Sequence, residues 1–194
     1  MMRATLPVAI TLAVALVGLA APAAAQPRRG APSSGYFAEL GLGATGFLGE
    51  TQRHAAIGPT FAFRGGKDLT HWFSVGGLIA TSVHEATVPP PPEQEYFQLY
   101  TLAGDARLTV RTGRLALFAE GGAGFTVIST NVLDRVGVTT PEEHTGFGYH
   151  AGGGVAWHTQ NRHFSVGLAA DWWMVPSFAA SMAVDARLYL RYTK

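Results

Sequence analysis

The chain contains no cysteine. That excludes disulfides, thiolate metal sites and thiol catalysis, and it removes the lipid-bearing Cys of a bacterial lipoprotein. Charge is sparse as well: charged residues make up 14% and the net charge is +1, so there is no basic excess of the kind that grips nucleic acid. Beyond the first 25 residues, no apolar run reaches the roughly 20 residues that a helical membrane span requires. A membrane location for such a chain leaves only a closed β-barrel, because lipid offers no partners to an open backbone.

What is present begins with an export signal. Arg3 is the only charge before Gln26, Leu6 to Leu19 form an apolar core, and Ala23-Ala24-Ala25 supplies the small residues that signal peptidase needs. The apolar run is short for an uncleaved anchor. We therefore read residues 1–25 as a cleavable signal peptide. Gln26–Ser34 (QPRRGAPSS) is a Pro/Ser/basic leader. Residues 35–194 then form a single domain.

In that domain every second residue is apolar, aromatic or Gly over eight segments: Gly35–Leu48, Ala56–Gly65, His71–Val83, Tyr96–Val110, Leu115–Thr130, Thr145–His158, His163–Met174 and Met182–Tyr192. Period two is the mark of a strand with two different faces. Gly66–Thr70, Arg111–Arg114 and Thr159–Arg162 read as tight turns. The connections between them, Gly49–Ala55, His84–Glu95, Asn131–His144 and Val175–Ser181, are mostly longer, and one carries the tetraproline Pro89–Pro92. Short turns at one end and longer loops at the other are the pattern of an eight-stranded antiparallel up-and-down transmembrane β-barrel. Aromatic residues near strand ends (Tyr36, Phe47, Trp72, Phe73, Tyr96, Tyr100, Tyr149, Trp157, Trp172, Trp173, Tyr192) suit girdles at the two membrane interfaces.

The phase of alternation assigns the faces. Leu188, Leu190 and Tyr192 look outward, whereas Glu39, Arg64, Asp105, Arg107, Glu120, His150, Asp171, Asp185, Arg187 and Arg191 look inward. An Arg on the lipid face at mid-membrane costs about 2–4 kcal/mol, while inside a narrow barrel it can pair with a carboxylate. The five carboxylates and four guanidiniums of the inward set should interdigitate in a plugged polar core. A soluble barrel of the lipocalin kind is disfavoured, because the apolar phase holds almost no Lys, Asp or Glu where that fold needs a charged exterior. The tetrad Asp-Ala-Arg-Leu occurs at Asp105–Leu108 and again at Asp185–Leu188; it reads as two equivalent ion-pair rungs or as coincidence within an alternating alphabet.

Phe118-Ala119-Glu120-Gly121-Gly122-Ala123-Gly124-Phe125 and the closing strand Val184–Tyr192 resemble the small outer-membrane β-barrels of the OmpA/OmpX-like, eight-stranded kind. The resemblance runs from about Gly35 onward and departs from the family where Thr193 and Lys194 follow Tyr192. It implies an assembly signal at Leu188, Leu190 and Tyr192, read by the barrel assembly machinery. It also implies contact with outer-membrane lipid and lipopolysaccharide, and a location in the outer membrane of a Gram-negative cell.

The chemistry-bearing residues are thinly spread. His163-Phe164-Ser165 has residue types found in the lipid A deacylases of this shape, but it falls beside a periplasmic turn with its shared face toward the lumen. His54, His84 and His144 could meet among the outer loops around a metal, yet no two have ligand spacing on one element, so solvated loop histidines are the expectation. Gly152-Gly153-Gly154 lacks the Lys-Ser/Thr of a phosphate loop and lies within a strand. We expect no catalytic residue, no metal and no cofactor. The expected role is a structural or surface-interaction barrel acting through its outer loops, with envelope protein partners in adhesion or motility. A narrow porin-like channel or hydrophobic conduit is the alternative, ahead of a lipid A-modifying enzyme.

Overall fold

The computed structural model describes residues 35–87, 95–179 and 181–194. The signal peptide, the leader and the tetraproline lie outside the described residues.

Eight antiparallel strands close on themselves in chain order: β1 (Tyr36–Leu48), β2 (Gly58–Asp68), β3 (Phe73–Glu85), β4 (Tyr96–Thr112), β5 (Leu115–Ile128), β6 (Thr145–His158), β7 (Phe164–Val175) and β8 (Ser181–Thr193). Pairing of β1 with β8, from Phe37↔Thr193 to Leu48↔Met182, seals the barrel and leaves no free sheet edge. The connection between β4 and β5 shrinks to Gly113-Arg114. Gly113 takes φ 63°, a conformation only glycine adopts without strain, and so permits the two-residue reversal.

The faces follow the strand period. Leu40, Leu42, Phe61, Phe63, Ile79, Leu102, Leu108, Leu117, Phe125, Leu168, Leu188 and Leu190 stand outward, while Glu39, Arg64, Asp68, Asp105, Arg107, Glu120, Asp171, Asp185, Arg187 and Arg191 stand inward and buried. This is the inverse of a soluble protein, and it follows from the solvent: acyl chains accept the leucines and reject the ions.

The sequence reading needs correction at several points. The Gly66–Thr70 turn is partly strand: β2 runs on to Asp68, whose carboxylate is buried inside. His84 belongs to β3, not to an outer loop, and is fully buried. Phe47 and Trp173 point into the barrel and leave the interfacial girdles, Phe47 as part of the apolar cluster at the loop end and Trp173 packed against it.

A lipid-facing leucine is the simplest place to test the assignment of faces. Leu188 is 56% exposed on the outer wall between Leu42 and Leu168. Leu188→Arg should lower the unfolding free energy in phospholipid vesicles by about 2–4 kcal/mol; unchanged denaturant unfolding would contradict an outward, membrane-facing side chain.

Candidate functional site

Most of the inward charges gather in one layer across the middle of the barrel. Glu120 on β5 is its hub. Arg107 on neighbouring β4 donates from Nε to Glu120 Oε2 at 2.7 Å. With its two remaining nitrogens Arg107 clasps Glu39 of β1 across the lumen, at 2.9 and 3.1 Å. Arg187 on β8 reaches Glu120 Oε1 at 3.2 Å and Asp171 of β7 at 2.5 Å, and also donates to Asp185. Arg64 on β2 donates to Asp105 and approaches Glu120 at 3.5 Å. Three guanidiniums thus serve five carboxylates because each bridges at least two. Such pairs, buried from water, hold only with good geometry and several hydrogen bonds per charge.

Local sequence makes room for this layer. A Cβ at Gly152 would strike the Asp171 carboxylate and the backbone of Ala170, and one at Gly122 would press on His150. The glycine-rich stretches of β5 and β6 therefore let bulky charged groups fit inside eight strands.

The ten inward residues do not form one connected set. Glu39, Arg64, Asp105, Arg107, Glu120, Asp171, Asp185 and Arg187 make the central layer. Arg191 lies apart at the short-turn end, where it donates to Asp68 at 2.5 Å and stacks over Phe37 at 3.9 Å. His150 makes no ion pair; its ring stacks on Trp173 with centroids 4.3 Å apart, and neither ring nitrogen has a hydrogen-bond partner among the described residues. The two Asp-Ala-Arg-Leu copies are not equivalent rungs. Asp185 pairs with its own Arg187, whereas Asp105 pairs with Arg64 and leaves Arg107 to Glu39 and Glu120.

Apolar side chains bracket the ionic layer on both sides. Below it, toward the short turns, Phe118, Tyr189, Ala116, Ala156 and Ala169 pack together, and the Arg107 guanidinium lies 4.1 Å above the Phe118 ring. Above it, a band of hydroxyls (Thr45, Thr60, Ser82 and Thr126) borders a cavity of about 70 Å³, room for a few waters. Over that cavity the connection from β5 to β6 folds a short 3-10 helix, Val132–Val136, into the mouth. Val132, Leu133 and Val138 bury there against Phe47, Phe97 and Phe178. His84 completes this cap: one ring nitrogen lies 3.0 Å from the Ala56 carbonyl, the other 2.9 Å from the Ser82 hydroxyl, and the ring packs on Phe97.

The cap was not foreseen from sequence, although Val132-Leu133 and Phe178 are apolar residues stranded in supposed loops. Asp68 was missed for a similar reason, its Gly-Gly-Lys-Asp setting reading as a turn. The candidate His and Ser of β7 do not come together. Ser165 is buried inside, while His163 sits exposed in the turn with its Nδ1 2.7 Å from the Thr193 carbonyl. Of the three loop histidines His84 points away into the wall, and no described group of three or more His, Asp or Glu is arranged to hold a metal ion. Leu188, Leu190 and Tyr192 form an outward ladder on β8.

Comparison with known proteins adds to this geometry. A family model described as an outer membrane protein beta-barrel domain matches residues 11–172. No curated protein matches by sequence. Among solved structures, Neisserial surface protein A superposes with a TM-score of 0.61 at 11% identity, covering 84% of this chain and 99% of its own. OprG of Pseudomonas aeruginosa gives 0.55 at 11% identity, covering 84% and 97% respectively. Ail, the attachment invasion locus protein of Yersinia pestis, gives 0.50 at 11% identity, covering 84% and 99%. At such identities the likeness is one of fold.

Removing the hub should expose how much the layer depends on it. Glu120→Ala leaves the guanidiniums of Arg64, Arg107 and Arg187 short of a carboxylate. It should destabilise the barrel by about 3–5 kcal/mol, read from denaturant unfolding in vesicles. A cost below about 1 kcal/mol, the range of an exposed surface pair, would contradict a buried, interlocked layer.

Proposed function

The chain belongs to the family of outer-membrane β-barrel proteins, and we propose that it works there as a non-enzymatic structural or surface-interaction barrel whose outer loops make its contacts. The observation that carries this reading is the double closure of the lumen. The ionic layer spans the interior from Glu39 to Asp171, and the cap of Val132, Leu133, Val138 and Phe178 covers it from the loop end. A wall so filled offers a rigid scaffold, and recognition on such scaffolds concentrates in the loops they present. Two of those loops are braced against each other, since Arg135 donates to Glu95 at 2.9 Å. Membership of an envelope complex for adhesion or motility is the process we assign to that surface, with other envelope proteins as partners and lipopolysaccharide as the surrounding lipid.

A second reading, a narrow channel or a conduit for small hydrophobic molecules, draws on the cavity of about 70 Å³ beneath the cap. The first reading is favoured because the Arg187 and Glu120 pair lies beneath that space and interrupts any continuous path.

The two readings part on a single pair of preparations. Planar bilayers with the intact protein should show no discrete conductance. Replacing residues 131–143 by a Gly/Ser linker should leave them silent too, because the ionic layer remains. The same replacement in cells should leave the barrel heat-modifiable on gels and abolish the rescue of adhesion or motility that full-length protein gives a deletion strain. Single-channel steps from the intact protein would favour the conduit, and full rescue by the loop-replaced protein would remove the loops from the function.

A further inference from the structure

The exposed charges of the barrel are divided by sign between its two ends. The loop end carries the exposed Glu50, Glu85 and Glu142 and the half-buried Glu95, Asp134 and Glu143 against Arg53 and Arg135. The short-turn end carries Lys67, Arg114, Arg162 and Lys194, and its one described acid, Asp68, is buried and consumed by Arg191. These four cations are spread around the circumference: Lys67 near the end of β2, Arg114 in the turn from β4 to β5, Arg162 in the turn from β6 to β7, and Lys194 beyond β8. Lys67, Arg162 and Lys194 are exposed and Arg114 is half-buried. No exposed carboxylate side chain stands among them in the described residues.

Their height matters as much as their sign. Tyr36, Trp72, Trp157 and Tyr192 stand outward at this same end, a belt that marks where acyl chains give way to headgroups. Lys67 Nζ lies 5.3 Å from the centre of the Tyr36 ring, an outward pair of cation and aromatic at that boundary. Long basic side chains so placed reach along the wall into the headgroup layer while their stems stay on apolar surface. The short-turn end of a barrel of this family faces the periplasm.

We propose that Lys67, Arg114, Arg162 and Lys194 form a collar that binds anionic phospholipid headgroups of the periplasmic leaflet and fixes the barrel's depth and orientation there. Attraction of this kind adds up over basic residues near an anionic surface and fades within a Debye length.

The test uses the refolded full barrel in phosphatidylcholine vesicles, with spin-labelled phosphatidylglycerol or phosphatidylcholine as the probe. Wild type should prefer the phosphatidylglycerol probe by about fivefold. The variant K67Q/R114Q/R162Q/K194Q should bring the preference close to one while remaining heat-modifiable. R53Q/R135Q, which neutralises the cations at the loop end, should keep the wild-type preference. Should the fourfold variant fail to fold, wild type alone decides the matter, because about 1 M salt should erase its preference. A preference that survives both the fourfold variant and high salt overturns the proposal. So does an unchanged lipid preference combined with loss of binding to isolated peptidoglycan sacculi, which would make the acidic wall the partner of the collar.

Discussion

Glu120 lies at the middle of the barrel with the guanidiniums of Arg64, Arg107 and Arg187 around it, and a solvent of acyl chains outside leaves those charges nowhere else to point. Each wall strand alternates, so sending its charges inward sends its leucines outward at the same stroke. A one-residue slip of β2, β4 or β8 would turn an Arg toward lipid and an apolar side chain toward the ions. The ionic layer therefore acts on register as well as on stability. It gives β1, β2, β4, β5, β7 and β8 each a charged side chain that must meet partners from other strands.

The layers stacked along the axis have distinct jobs. The central ions give register and block the path. The Phe118 and Tyr189 layer beneath them keeps the Arg107 pairs away from water that enters from the short-turn end. The hydroxyl band and the folded loop above do the same from the other side. The ionic layer and the folded loop close the interior from both sides, and the two ends of the barrel differ in the sign of their exposed charge. The family, the outer-membrane location and the closed eight-stranded topology frame that division.

The strand plan was legible because alternation is a strong signal over 11–17 residues and most breaks in it carry glycine or proline. The inward set was legible for the same reason, and all ten of its members lie buried in the wall. Connectivity within that set was not legible. Alternation says that Asp185 and Arg187 share a face, but not that they pair with each other while Asp105 and Arg107, in the same tetrad, choose partners from other strands. That choice depends on strand stagger and side-chain reach across the lumen, which no single strand encodes. His84 and Asp68 were lost where the inward phase ran past the supposed strand ends, by one residue beyond Val83 and by three beyond Gly65. The loop from β5 to β6 was lost because its apolar residues have no period. Val132, Leu133 and Val138 matter by filling a mouth whose shape only the closed barrel defines.

The absence of cysteine allows the sealed interior to be probed with single thiols at alanines, which disturb neither charge nor volume greatly. Thiols at the inward Ala103 and Ala169 and at the outward Ala123, Ala170 and Ala186 would each be labelled before refolding with a small environment-sensitive dye, or left free for reaction afterwards. In vesicles, brominated acyl chains should quench the dye at Ala123→Cys, Ala170→Cys and Ala186→Cys and spare it at Ala103→Cys and Ala169→Cys. A charged, water-soluble thiol reagent should leave the two free inward thiols unmodified in the folded barrel. Quenching at the inward pair, or rapid modification of them by the aqueous reagent, would contradict a wall that turns its apolar face to lipid around a closed, ion-filled interior.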